Sequence, residues 1–356
     1  MGLSGSLRQG KARVAEGATE TFLLNHPEML ASLGERARRL GREDAGYHID
    51  FLAGAVESGN PAAFGDYIRW VVRVLTPRGL PSSMVAETLL QIENGFREII
   101  PEEDQLTLRP YIVEGLDGCS GSPDQSTAPP SSAPLASAQR IFLQSILAAD
   151  RRAAATIARE VLAQGNELMD VYVDVVQESL YELGRLWEGN RITVAQEHAG
   201  TAVCQYVLAE LYAGMPVSSR RRGRAVLTGV EGEFHQVGAN LVADALEADG
   251  WSVRFLGANT PRAGVLQALG EHDADVLGIS VTMLFNISMA RQLVREARRQ
   301  RTALSVIVGG AAFRAAPDLW REVDADSRAD DVRAAVAAMR EIASVQHGTA
   351  GRSVGS

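Results

Sequence analysis

Ala225-Val226-Leu227-Thr228-Gly229-Val230 runs directly into Glu231-Gly232-Glu233-Phe234-His235-Gln236-Val237-Gly238. The first six residues are uncharged and mostly apolar, too short for a helix and typical of a strand buried on both faces. The polar, glycine-bearing stretch ends that strand, and helical periodicity resumes from about Val237 to Ala248. The alternation then repeats: strand 252–257, helix 261–271, strand 276–282, helix 286–300, strand 304–309 and a helix near 330–343, with a weak, polar strand around 323–328. Near-continuously apolar strands separated by helices specify a Rossmann-like, doubly wound parallel sheet over 224–345. A ligand of such a sheet sits beyond the carboxyl ends of its strands, where the Glu231–Gly238 loop falls.

Upstream the pattern is purely helical. Helices are expected at about 138–149, 151–164, 167–188 and 193–213, with apolar stripes such as Leu143, Ile146 and Leu147 or Val173, Val176, Leu180 and Leu183. Short connections favour antiparallel neighbours, hence a four-helix bundle over 138–216. Before it, Pro123, Pro129, Pro130 and Pro134 punctuate an almost uncharged stretch, read as a linker over 118–137. The region from about Glu20 to Gly115 is also helical; Phe64, Tyr67, Ile68, Val71, Val72 and Leu75 make one buried stripe, and Pro101 stops the helix from Ser82 to Ile100. The expected division is an all-helical domain over 1–117, the linker, the bundle, the sheet domain and a disordered tail over 346–356.

A length of 356 residues fits two or three domains of roughly 150 each. With 46% hydrophobic and 22% charged residues the chain has the means to bury cores. A net charge of −9 gives no global reason to bind nucleic acid; the run Arg220, Arg221, Arg222 and Arg224 is read as solvating a domain junction. Cys119 and Cys204 exclude a disulfide scaffold and suit a reduced, cytoplasmic setting. The N-terminus lacks the apolar core of a signal peptide, and the uncharged stretch between Asp275 and Arg291 is too short and too polar to span a bilayer.

Three strand ends carry the candidate chemistry. A dinucleotide fingerprint would be glycine-rich after the first strand; here the loop presents His235, with Glu233 two residues earlier and Gly238 three later. Ser280-Val281-Thr282 follows the third strand, and Gly309-Gly310 the fourth. A neutral imidazole can ligate a metal through one nitrogen while the other donates to a carboxylate that orients it. Paired glycines allow a bulky group to approach the backbone closely.

Glu-x-His-x-x-Gly, then Ser-x-Thr, then Gly-Gly at successive strand ends resembles the cobalamin-binding domain of methionine synthase, corrinoid proteins and light-sensing cobalamin receptors. The family usually has Asp where this chain has Glu233. The resemblance implies His235 as the lower axial cobalt ligand and Glu233 as its orienting partner. Ser280, Thr282, Gly309 and Gly310 would hold the displaced nucleotide tail. Trp187, followed ten positions later by Glu197-His198, resembles the cap of CarH-type light-sensing regulators, where Trp and Glu shield the adenosyl group of adenosylcobalamin. One departure is Glu188: the CarH-type pattern has there a histidine that captures cobalt after photolysis. Either His198 or water takes that place, or the light-state chemistry differs.

A second departure concerns output, because the sequence has no winged helix-turn-helix motif. The N-terminal cluster Tyr47, His48, Phe51, Phe64, Tyr67, Arg69, Trp70, Arg73 and Arg78 resembles instead the non-haem sensor globins, and the two-part layout resembles photocobilins. That implies a globin-like domain binding biliverdin noncovalently in an aromatic slot, with Arg69, Arg73 and Arg78 for the propionates and no cysteine in the domain core; His48 as a haem ligand ranks lower. The expectation is a non-enzymatic light sensor that binds adenosylcobalamin and biliverdin, forms a homo-oligomer and signals to a separate effector protein. The alternatives are a corrinoid methyl carrier of a methyltransferase system and a cobalamin-sensing regulator without photochemistry.

Overall fold

The computed structural model describes residues 2–120, 135–315 and 318–350. The chain divides into two compact units, Met1–Ser126 and Thr127–Ser356.

The first unit is built from helices α1 (Leu3–Asn25), α2 (Pro27–Leu33), α3 (Glu35–Glu57), α4 (Pro61–Leu75), α5 (Ser82–Arg97) and α6 (Glu102–Ser120). The Asn60 side chain caps α4 by accepting from Ala63 N–H at 3.2 Å, with Pro61 at the first helical position. Phe64, Tyr67, Ile68, Val71 and Val72 are buried, as the apolar spacing requires. Helix α4 crosses α6 closely because glycines sit at the contact: a Cβ on Gly118 would lie 2.8 Å from the Gly65 carbonyl oxygen.

Two boundaries differ from expectation. Helical structure begins at Leu3, well before Glu20, where Leu3, Leu7 and Val14 are buried. Helix α6 continues through Ser120, so Gly118–Ser120 are not linker: Leu108, Tyr111, Ile112, Gly115 and Cys119 form one buried stripe that extends the helix past its last charge. Residues 121–134, the rest of the expected linker, lie outside the described residues.

The second unit opens with a helical cap: α7 (Ala136–Leu147), α8 (Arg151–Ala163), α9 (Leu168–Asp170), a π-helical segment at Val171–Gln177, α10 (Glu178–Glu188) and α11 (Val194–Ala213). The π segment continues into α10, so the helix expected at 167–188 is one rod with a wide turn, a feature that periodicity does not signal. Thr193 and Gln196 form a capping box that starts α11.

The α/β part follows: β1 (Gly223–Gly229), α12 (Val237–Ala248), β2 (Trp251–Phe255), α13 (Arg262–Glu271), β3 (Val276–Ser280), α14 (Ile287–Gln300), β4 (Ser305–Gly309), α15 (Ala311–Ala315), α16 (Leu319–Glu322), β5 (Ser327–Ala329) and α17 (Val332–Ala350). Among the described residues the five strands are ordered β2-β1-β3-β4-β5, every pair parallel. The order reverses between β1 and β3, so the ligand crevice opens at their carboxyl ends. Helix α17 runs to Ala350, so the expected tail at 346–356 begins as helix; 351–356 lie outside the described residues.

Cap and sheet domain share one apolar core. Val207, Leu208 and Leu211 of α11 belong to the same buried cluster as Leu241 and Leu246 of α12. Polar contacts fix the junction: Tyr172 O–H donates to Asp244 at 3.1 Å, and Arg333 pairs with Asp170 at 3.0 Å and Asp174 at 2.8 Å. The arginine run is partly neutralised, Arg222 by Asp249 at 2.6 Å and Arg224 by Asp273. No helix among the described residues is long and apolar enough to cross a membrane.

Candidate functional site

The loop after β1 is organised around one carboxylate. Glu233 is fully buried. Its Oε1 accepts from the His235 backbone N–H at 3.1 Å and contacts His235 Nδ1 at 2.6 Å. Its Oε2 accepts from the backbone N–H groups of Thr282 at 2.8 Å and Met283 at 3.0 Å, and from Asn286 Nδ2 at 3.3 Å. Burial works to raise the Glu233 pKa, but the bonds from the His235 ring and from the Met283, Thr282 and His235 backbones outweigh it and hold the group at about 2. The fixed anion therefore ties the β1 loop to the end of β3.

His235 is aimed by that anion. With Nδ1 committed to Glu233, Nε2 has no hydrogen-bond partner among the described residues, and the side chain is 59% exposed. The bond to Glu233 raises the His235 pKa; burial opposes it, and the charges of Glu233 and of Glu197 add to the rise. Glu197, on the first turn of the cap helix α11, is thus the cap carboxylate whose charge reaches His235. Its Oε1 accepts from Thr201 Oγ1 at 2.9 Å and its Oε2 contacts His198 Nδ1 at 2.5 Å. The His198 side chain is 75% exposed. Trp187 and Glu188 are half-buried at the end of α10.

Beside this loop a groove runs between the sheet and helices α12 and α17. Ser280, Gly309, Gly310 and Gly238 all line it, while Thr282 works from its backbone at the Glu233 end. The glycines differ in role. A Cβ on Gly238 would meet nothing within 4 Å, so this glycine leaves groove space open. Gly310 has φ +100°, and a Cβ there would lie 2.3 Å from the Val281 carbonyl oxygen. It serves the backbone crossing between β3 and β4 and, with Gly309, also lines the groove.

Sequence reasoning missed the residues that shape the loop. Asn259, with φ +52°, accepts from Gly232 N–H at 2.9 Å through its side chain, and its own N–H donates to the Glu233 carbonyl at 2.7 Å. Buried Asn286 donates to the Gly232 carbonyl at 3.2 Å. Gly257-Ala258-Asn259 after β2 is a turn signature that could have drawn attention to Asn259; nothing local marks Asn286.

In the first unit, His48 is buried with Nδ1 at 2.8 Å from Tyr67 Oη, and burial lowers its pKa to about 4. Tyr67 stacks on Phe51 with centroids 3.6 Å apart, and Trp70 lies 6.1 Å away. Arg69 is paired with Asp66 at 2.5 Å and Arg78 bonds the Val74 carbonyl; Arg73 makes no hydrogen bond among the described residues. Cys119 is buried on α6, inside the domain core, contrary to expectation; burial pushes its thiol up to about 11, which leaves it a poor nucleophile.

Residues 223–341 match the profile of a B12 binding domain, and residues 138–212 match a second, distinct B12 binding domain profile. The chain carries a cobalamin-binding module. Its two parts are the α/β domain and the helical cap described above. Relatives include dimethylamine corrinoid protein 3 of Methanosarcina acetivorans, 29% identical over 166 residues, 46% of this chain and 74% of that protein. The HTH-type transcriptional repressor CarH of Myxococcus xanthus is 28% identical over 253 residues, 68% of this chain and 81% of that one. Among solved structures, the Methanosarcina barkeri monomethylamine corrinoid protein shares the fold with TM-score 0.53, at 19% identity over 58% of this chain and 99% of that one.

The residues present suit a corrinoid. No group of three or more His, Cys, Asp or Glu among the described residues could hold a bare metal ion. His235 can offer a single nitrogen, which fits a cobalt that arrives with its own equatorial ring. The groove that Gly238 leaves open lies beside that nitrogen's loop.

Proposed function

We propose that this chain is a light-sensing protein that binds adenosylcobalamin between cap and sheet domain, with His235 as lower axial ligand. The observation that carries the reading is the pair His235 and Glu197: an aimed imidazole on the sheet domain, with a carboxylate of the cap in electrostatic reach. Glu233 fixes the ring and keeps Nδ1 occupied. The groove lined by Ser280, Gly309, Gly310 and Gly238 takes the nucleotide tail, and Trp187 and Glu197 cover the upper ligand. Adenosylcobalamin would supply a cobalt–carbon bond that light can break; with Trp187 and Glu197 placed to cover the adenosyl group, its loss would let the cap take up a second arrangement. Such a loss of differential contacts is what a two-state switch needs.

The likeness to the repressor CarH, which runs through both cap and sheet domain, supports a regulatory and non-enzymatic role, with output through a change of homo-oligomer or through a separate effector protein in the cytoplasm. The first unit, read as globin-like, would carry biliverdin near His48, Tyr67 and Trp70, with Arg73 the arginine left for a propionate. With Glu188 after the cap tryptophan, either His198 or water would replace the lost adenosyl group, or the light-state chemistry differs. A second reading, a corrinoid methyl carrier, is favoured by the match to the dimethylamine corrinoid proteins. Dark-purified protein loaded with adenosylcobalamin separates the two: the absorbance spectrum and elution volume change on illumination in a photoreceptor. A spectrum and elution volume indifferent to light reject the photoreceptor, and turnover of a methylcobalamin-loaded form by a methyltransferase would then establish the carrier.

A further inference from the structure

The groove beside the His235 loop is not built by the sheet domain alone. Gln177 and Tyr181, both from the cap, line it together with Arg314. Arg314 Nη1 donates to Tyr181 Oη at 2.7 Å and to the Asp330 carbonyl at 3.2 Å, and its guanidinium carbon lies 5.1 Å from the Tyr181 ring centroid. An arginine after β4, a carbonyl after β5 and a cap tyrosine thus form a clasp at the groove, with Asp330 itself a lining residue.

We propose that the Tyr181–Arg314 clasp selects corrinoids that carry a lower nucleotide tail over those that lack one. This rests on the cobalamin reading above. A bond from His235 to cobalt is open to any corrinoid whose lower face is free, so it cannot discriminate. Only a tailed corrinoid enters the groove, and its tail carries one phosphodiester anion. Arg314 is the arginine among the groove's lining residues, and a guanidinium makes charge-assisted, forked bonds to phosphate oxygens. Tyr181 holds that guanidinium by its hydroxyl and ring face, so the cap contributes to tail recognition while also covering the upper side. Cap position and tail occupancy are thereby coupled through one pair of side chains.

The test compares cobalamin with cobinamide, which lacks the tail, by absorbance titration of the full chain. Wild type is expected to bind cobalamin the more tightly. Arg314→Gln should weaken cobalamin by about tenfold or more, the worth of one charge-assisted bond, and leave cobinamide within about twofold. Tyr181→Phe should fall between, while His235→Ala weakens both ligands alike. Equal losses for both ligands in Arg314→Gln, or no loss for either, would overturn the clasp while leaving cobalamin binding intact. Failure of wild type to bind either ligand would remove the cobalamin reading and the clasp together.

Discussion

Glu233 shows how much one buried carboxylate can fix. Five donors converge on it from three parts of the loop and strand ends, so its charge is compensated and its geometry set. Glu233→Gln keeps the volume but replaces an anion with an amide that must donate through one end. Second-shell partners of this kind are worth about 10–100-fold in metal affinity, and a loss in that range is expected in a cobalamin titration. Two other buried groups give opposite pH slopes. His48 sits at about 4 against an ordinary 6.5 because burial disfavours its cation. The unfolded chain then binds more protons between those values, so this contribution is full above pH 6.5 and lost as pH falls through about 4. Asp244 is raised from 3.8 to about 6, chiefly by burial, with the Tyr172 bond opposing and Glu247 adding. Its contribution is full below pH 3.8 and lost as pH rises through about 6. Thermal melts of His48→Gln should lose the acid-side slope, and those of Asp244→Asn the slope between pH 4 and 6, with a higher Tm at neutral pH.

At the scale of elements, the loops after β1, β3 and β4 do what individual residues cannot. Each strand end delivers one component: an imidazole and its anion, a pair of N–H donors, and a glycine crossing. Gly310→Ala forces a Cβ against the Val281 carbonyl at positive φ, so it should destabilise the fold by at least about 1 kcal/mol, measurable by denaturant titration. Gly238→Leu is a contrasting test, because a Cβ there meets nothing within 4 Å and the residue lines the groove. Helix propensity favours leucine over glycine by up to about 1 kcal/mol, so Tm should hold or rise. Filling the groove should cost cobalamin about tenfold or more in affinity, the equivalent of 1–3 kcal/mol of overpacking. Unchanged cobalamin affinity in this variant would show that the tail lies elsewhere.

For the whole molecule, the division into two units makes a plain forecast. Every residue assigned to the cobalamin site lies between Gln177 and Met339, within the second unit. A fragment starting at Leu135 should therefore bind cobalamin with the affinity of the full chain, as isothermal titration would report. A large loss on removing the first unit would mean that the first unit takes part in the site.

Much of this was legible in the residues alone. Strand-length apolar runs alternating with amphipathic helices fix a parallel sheet, since no other layer arrangement buries both. The positions of Glu233 and His235, two residues apart at a strand end, likewise announce an oriented imidazole. Local pattern does not carry what depends on neighbours distant in sequence. Asn259 and Asn286 shape the loop from 26 and 53 residues away from Glu233, and the π turn in the cap leaves the apolar stripe almost unchanged. Whether a glycine opens a groove or relieves a backbone crossing, as Gly238 and Gly310 do, is set by what faces its missing Cβ. The same holds for Tyr181 and Arg314, separated by 133 residues, whose meeting only tertiary packing decides.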